Sequence, residues 1–337
     1  MAQIVAALAT SHGPLLSTPP EMWHLRAQAD RENPRHWYRG AAYDFPSLVE
    51  RRAPGFAAQA TDDVKRERYE RCQRAIAELA RRFRAARADV AIIFGNDQRE
   101  IYHEELTGAF TIFNGAEIPS IPFSEKMKAA MPPGVALAER GHTPPGGAVY
   151  RGAVGIADTI IASLLDSEFD VATSERIPLY DGEARGIPHA FGFVYRRIME
   201  DAPPPSVPVF TNVGEGVNRP RLRRVLAFGH AMKAAIDALP ADLRVVCIAS
   251  GGLTHFCVDE ELDAEILDAM QRGDEAALAA YPEEFFFGNT CEIKSWYALA
   301  ACMNDCGRTM RMIDYVPCYR TEAGTGSAMG FAAWETA

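Results

Sequence analysis

Short apolar runs that stop dead at glycine or polar residues, with amphipathic helical stretches between them, constrain this chain most. Leu243–Ser250 (LRVVCIAS) is apolar without alternation and runs into Gly251-Gly252-Leu253-Thr254-His255. Asp89–Phe94 (DVAIIF) does the same before Gly95-Asn96-Asp97-Gln98, and residues 3–9 (QIVAALA) before Ser11-His12-Gly13-Pro14. Unbroken apolar runs of this length, bounded by turn residues, read as strands buried on both faces. Residues 62–87 place Tyr69, Cys72, Ile76, Leu79 and Phe83 at three- and four-residue spacing, the mark of a helix. Further strands are expected at 110–113, 169–173, 207–212 and 309–315, and helices at 150–166 and 220–238. Strands alternating with helices predict an α/β fold: one domain over 1–337, with a mostly parallel central sheet flanked by helices. Residues 15–60, rich in Pro, Trp, Arg and His, have weak periodicity and read as an irregular arm, either a lid or an interface element.

Composition narrows the function classes. The 337 residues carry 35 basic and 45 acidic side chains, a net charge of −10, which argues against a nucleic-acid partner. No apolar run approaches the ~20 residues of a membrane span, and the first residues lack the positive start of a signal peptide. A cytoplasmic protein with no membrane partner is therefore expected. Seven cysteines without a CxxC pair exclude a disulfide framework and read as buried small side chains. There is no GxxxxGK[ST] loop, no HExxH and no GxSxG elbow.

In open α/β sheets ligands bind beyond the carboxyl ends of the strands. His12, Gln98, His189 and His255 each follow a strand-like run or sit in a glycine-bounded loop. His12 reads equally as a metal ligand or a loop-locking residue. His255, after paired glycines, reads as a general acid/base. His189, in Gly186-Ile187-Pro188-His189, reads as a presented side chain or a loop lock. Glu292 stands shortly before the apolar stretch Trp296–Met303, in the first turn of a helix, where a carboxylate serves the helix dipole or a metal. His24, His36, His103, His142 and His230 are less persuasive. Arg185, Arg219 and Arg320 are candidates to meet a substrate carboxylate, and Tyr319 and Trp334 to form apolar walls or core.

The ordered set SHGP at 11–14, GNDQ at 95–98, PHAFG at 188–192, SGGLTH at 250–255 and CEIKSW at 291–296 resembles the class III extradiol ring-cleavage dioxygenases, the superfamily of the protocatechuate 4,5-dioxygenase β chain. The arm and the GNDQ loop look closest to the 3-O-methylgallate/gallate branch. The resemblance implies a dimer that cleaves the ring of a catecholic aromatic acid with O₂ at a non-haem Fe(II). His12 and Glu292 match ligands, His255 the acid/base histidine, and His189 the histidine that contacts substrate or oxygen. The chain departs from the family at one ligand: Gln98 stands where the second ligand histidine lies in an NDH loop. An amide oxygen is a weaker donor than imidazole. Gln98, His103 or water is left to fill that position. Two other readings follow: a non-oxidative metal-dependent hydrolase or lyase on the same scaffold, and a non-catalytic binding relative like the Memo proteins.

Overall fold

A computed structural model describes residues 1–103, 106–179, 182–213 and 218–336. A nine-stranded mixed sheet runs through it. Its centre is four parallel strands in the order Gln3–Thr10, Arg244–Ser250, Val90–Asp97, Ser206–Asn212. These are the apolar runs that the sequence marks as strands. Alternate residues enter two separate cores: Ile92, Phe94, Val245 and Cys247 on one face, and Ala91, Ile93, Val246 and Ile248 on the other. Helices Val154–Asp166, Leu222–Asp237, Glu260–Arg272 and Lys294–Asn304 supply the first core. Helix Asp62–Ala86 covers the second with Cys72, Ile76, Leu79 and Phe83. A parallel sheet needs both faces covered, which is why these strands carry no polar alternation.

Three local expectations are corrected. The strand beginning at Val90 does not stop at Phe94. It continues through Gly95, Asn96 and Asp97, because Ser206–Asn212 pairs along its whole length. The stretch 150–166 is not helical throughout: Ala148–Arg151 is a strand paired with Glu117–Ser120, and the helix starts at Val154. The strand expected at 309–315 is not the last, since the glycine-rich stretch after it forms another. Thr325–Thr336 is a long strand between Arg308–Tyr319 and Gln3–Thr10, antiparallel to both. Its glycines face close neighbours: a Cβ on Gly326 would lie 2.2 Å from the Cys318 carbonyl oxygen, and one on Gly330 2.8 Å from Leu253. The sheet edges are finished by Phe110–Phe113, Ala172–Ser174 and the three-residue strand His255–Cys257.

The arm is irregular with short helices, as expected. It holds helices Trp23–Glu32 and Phe45–Arg51 and a small hairpin, His36–Tyr38 with Ala41–Tyr43. The buried face of the first helix is Trp23, Arg26, Ala27 and Asp30, at three- and four-residue spacing. All seven cysteines are free thiols. Among the described residues no helix is long and apolar enough to cross a membrane.

Candidate active site

The carboxyl ends of the parallel strands open into a cavity of about 410 Å³ whose lining includes His12, Gln98, His189, His255 and Glu292. Five residues from distant stretches of the sequence thus share one space. Strand register brings the first two loops together: Thr10 pairs with Ser250, so His12 lies beside the SGGLTH loop. His255 is held by pairing with Ser327 of the terminal strand. Glu292 comes from the tight turn Gly288–Ile293 that feeds helix Lys294–Asn304. His189 is the first residue of helix His189–Phe193.

The paired glycines have a steric function. A Cβ on Gly251 would sit 2.2 Å from the Glu292 carbonyl oxygen, and one on Gly252 2.3 Å from His255 Cε1. Only glycine lets the loop carrying His255 close onto the turn carrying Glu292. The Gly252 N–H then donates to Glu292 Oε2 at 3.0 Å. Beneath it, Thr254 donates its backbone N–H (2.9 Å) and its hydroxyl (2.6 Å) to buried Asp263, which fixes the loop from below.

Hydrogen-bond donors and acceptors set the state of each histidine. The Ser250 hydroxyl donates to the Ala190 carbonyl at 2.6 Å, so its oxygen accepts from His12 Nδ1–H at 3.0 Å. Burial holds the His12 pKa below its ordinary value, so the ring is neutral. Its Nε2 lone pair then faces Glu292 Oε2 at 3.1 Å, buried and without a hydrogen-bond partner. His255 donates Nδ1–H to the Leu253 carbonyl at 2.6 Å and aims Nε2 at Glu292 Oε1, 3.5 Å away. Burial alone would raise the Glu292 carboxyl, but the neighbouring His255 imidazole lowers it and keeps the group ionised.

His189 is in a different state. Its Nδ1 lies 2.5 Å from Glu100 Oε1, and its backbone N–H donates to Glu100 Oε2 at 3.1 Å. Burial works against the charged ring, yet Glu100 overcomes it and lifts the pKa to about 9. The His189 ring meets His12 edge-on, with centroids 4.8 Å apart.

Several cavity residues escape the sequence reading. Glu100 follows Gln98 by two positions, and an acidic residue in a candidate ligand's own loop was the available signal. His142 is a cavity residue with its ring 6.0 Å from His189, and burial drives its pKa down to about 3. His103, which the sequence offers as an alternative to Gln98, also lines the cavity. Asp97, buried and with its pKa raised to about 7, caps the loop by accepting from the backbone N–H groups of Glu100, Ile101 and Tyr102. His36 donates to the Asp30 carbonyl, and His230 bridges Asp305 and Glu275; both are structural. Of the three candidate arginines, Arg185 lines the cavity, Arg219 lies over the Phe287 ring, and Arg320 is buried in a pair with Asp30. Tyr319 and Trp334 belong to the core.

The donor set can be tested against a cation. Among the described residues no group of three His, Cys, Asp or Glu side chains is arranged as a metal site. Two donors nevertheless face each other without a proton between them: the His12 lone pair and the Glu292 carboxylate. That contact is repulsive unless a cation sits against it. Each donor also has the outer partner that metal ligands use, Ser250 for His12 and the Gly252 N–H for Glu292. Gln98 lines the same cavity, where its Oε1 accepts from Asn289 Nδ2 at 3.1 Å. The residues therefore fit a divalent cation held by an imidazole and a carboxylate, with oxygen donors completing it.

Known proteins give two further findings. No curated protein matches this chain. Among solved structures, an uncharacterized protein, JW3007, from Escherichia coli K12 aligns over 97% of this chain and 98% of its own, at 11% identity and a TM-score of 0.42. Residues 57–320 match the family model of the catalytic LigB subunit of aromatic ring-opening dioxygenase, a span that takes in Gln98, His189, His255 and Glu292, and the chain belongs to that family.

Proposed function

We propose that this protein is a non-haem Fe(II)-dependent extradiol dioxygenase that opens the ring of a catecholic aromatic acid with O₂. The observation that carries it is the 3.1 Å contact between His12 Nε2 and Glu292 Oε2, at the mouth of the parallel strands and in a cavity of about 410 Å³ that can admit an aromatic acid. His12, Glu292 and Gln98 would hold the metal, which, when bound, would bring the diol and O₂ together and lower the pKa of the diol hydroxyls. The protein's own groups handle the protons. His255 is locked at Nδ1 by Leu253, so Nε2 is its one exchanging atom, and it takes a hydroxyl proton there. His189, kept cationic by Glu100, supplies a proton from Nε2 as the O–O bond breaks, and both oxygen atoms end in the ring-opened product. Phe123, Ile121, Ile187 and Phe193 give the cavity its apolar lining and exclude water from the reacting ring. No organic cofactor enters, since O₂ and the ring exchange the electrons between them.

The test is metal analysis of protein purified without air, followed by O₂ uptake with catechol, protocatechuate, gallate and 3-O-methylgallate after Fe(II) addition. Near-stoichiometric iron and uptake with one of these substrates is the expected outcome. Metal without O₂ uptake on any of them favours a second reading, a metal-dependent hydrolase or lyase. Gln98 is the observation behind that alternative, because an amide oxygen in place of imidazole suits oxygen-preferring ions.

A further inference from the structure

The arm contributes a charge to the cavity that has no ion pair of its own among the described residues. Arg26, on the buried face of helix Trp23–Glu32, is 7% exposed and lines the cavity. Its Nε and Nη1 are buried with no hydrogen-bond partner. Asp30, one helical turn on, is committed elsewhere. Its carboxylate accepts from Arg320 Nε (2.7 Å), Arg320 Nη2 (3.0 Å) and Thr325 Oγ1 (2.6 Å). The cavity carboxylate Glu100 is engaged by His189, and Glu292 by His255 and the Gly252 N–H. Burial, with Arg320 nearby, outweighs the attraction of Asp30 and pulls the Arg26 pKa down to about 10. Phe256, also in the lining, fixes where Arg26 stands: the guanidinium carbon is 5.7 Å from its ring centre, and the His255 ring is 5.4 Å from it on centroids.

We propose that Arg26 is the specificity-determining residue that receives the carboxylate of an anionic aromatic substrate, holding it across the Phe256 ring from the histidine–glutamate cluster. This rests on the proposed ring-opening reading for the identity of the other end of the substrate, but the carboxylate site stands on Arg26 alone. A carboxylate there satisfies donors that are otherwise buried and empty, and a planar guanidinium pairs with it through two hydrogen bonds. A neutral ring of the same shape leaves those donors unmet and is rejected.

The experiment compares binding of 3,4-dihydroxybenzoate and 3,4-dihydroxybenzamide by titration calorimetry under argon, with Fe(II)-loaded and metal-free protein. The wild type is expected to prefer the acid by roughly 10- to 100-fold. Arg26→Met is expected to abolish that preference and leave amide binding unchanged, while Arg26→Lys keeps part of it. Thermal melting adds a readout that separates this role from a structural one. Removing an unpaired buried charge should leave Tm unchanged or raise it, whereas a structural arginine would lower it. A wild-type acid-to-amide ratio near one, no acid binding by the wild type, or equal losses for both ligands in Arg26→Met overturns the proposal. Acid preference without any O₂ uptake would keep the anchor and reject the ring-opening reading. Uptake without acid preference would do the reverse.

Discussion

The cavity has two walls of different origin, and each leaves polar atoms unsatisfied with the opposite sense. On the sheet wall, strand ends and tight turns bring His12, His255 and Glu292 together, and the unmatched atom is a lone pair, His12 Nε2. On the arm wall, helix Trp23–Glu32 presents Arg26 to the cavity, with Asp30 one helical turn on. Asp30 is saturated by Arg320, and the unmatched atoms are the N–H donors of Arg26. A lone pair beside a carboxylate calls for a cation; bare guanidinium donors call for an anion. A bipolar ligand, metal-binding at one end and anionic at the other, answers both walls. The contrast also separates activity from stability, since the sheet wall carries the reacting groups and the arm wall a buried ion pair that ties the arm to the terminal strand.

The contrast can be broken by substitution. Glu292→Ala should have the largest effect: metal content after anaerobic purification should fall to background, a loss exceeding the roughly 100-fold that a ligand's outer partner is worth. Iron retained at the wild-type level would remove Glu292 from the donor set. His255→Ala should keep its metal and lose turnover by about 10²–10⁴-fold, the range for a positioned acid/base. Full O₂ uptake by that variant would refute the assignment. On the other wall, Asp30→Asn should leave metal content intact and lower unfolding stability in urea by about 3–5 kcal/mol, because Arg320 is left charged and buried. An unchanged midpoint would show that the arm is not anchored through this pair.

Ser250→Ala tests a subtler element of the sheet wall. Without the hydroxyl, His12 loses the acceptor that fixes Nδ1–H, and metal affinity should drop about 10- to 100-fold with the fold unaffected. The smallest effect belongs to a histidine outside both walls. His230 lies between Asp305 and Glu275 at 2.8 Å from each. Burial opposes its charge, but the two carboxylates raise its folded pKa above the ordinary 6.5. Its stabilisation is therefore complete below about pH 6.5 and fades as pH rises through the raised value. The pair is partly exposed, so the effect is modest. The Tm difference between wild type and His230→Gln should shrink from pH 6 toward pH 9; a difference constant across that range would exclude the titration.

Much of the scaffold was legible because parallel strands buried on both faces cannot hide their composition. Val90–Phe94 and Arg244–Ser250 are apolar at every inner position, and the helix at 62–86 shows its stripe plainly. Thr325–Thr336 was not legible. Its first half is rich in Gly, Ser and Ala, which carry no strand preference of their own, and close neighbours leave no room for a side chain at Gly326 and Gly330. Gly95–Asp97 likewise became strand only because Ser206–Asn212 lies alongside. The site divided in the same way. His12, Gln98, His189, His255 and Glu292 stand in loops that announce themselves by glycine, proline and strand ends. Glu100 and Arg26 look like any surface charge in sequence, and their partners, or lack of them, come from residues far along the chain.

By itself the sequence determined the layered α/β scaffold, the loops that lie at its strand ends and the polar residues those loops carry, because periodicity and turn chemistry are local properties. Only the tertiary structure decided which state each group occupies. Ser250 and Ala190, far from His12 in sequence, make its Nε2 a lone pair; Glu100 makes His189 a cation. Arg320 takes Asp30 away from Arg26. Protonation and pairing depend on burial and on the nearest counter-charge in space, and neither is written at the position of the residue itself.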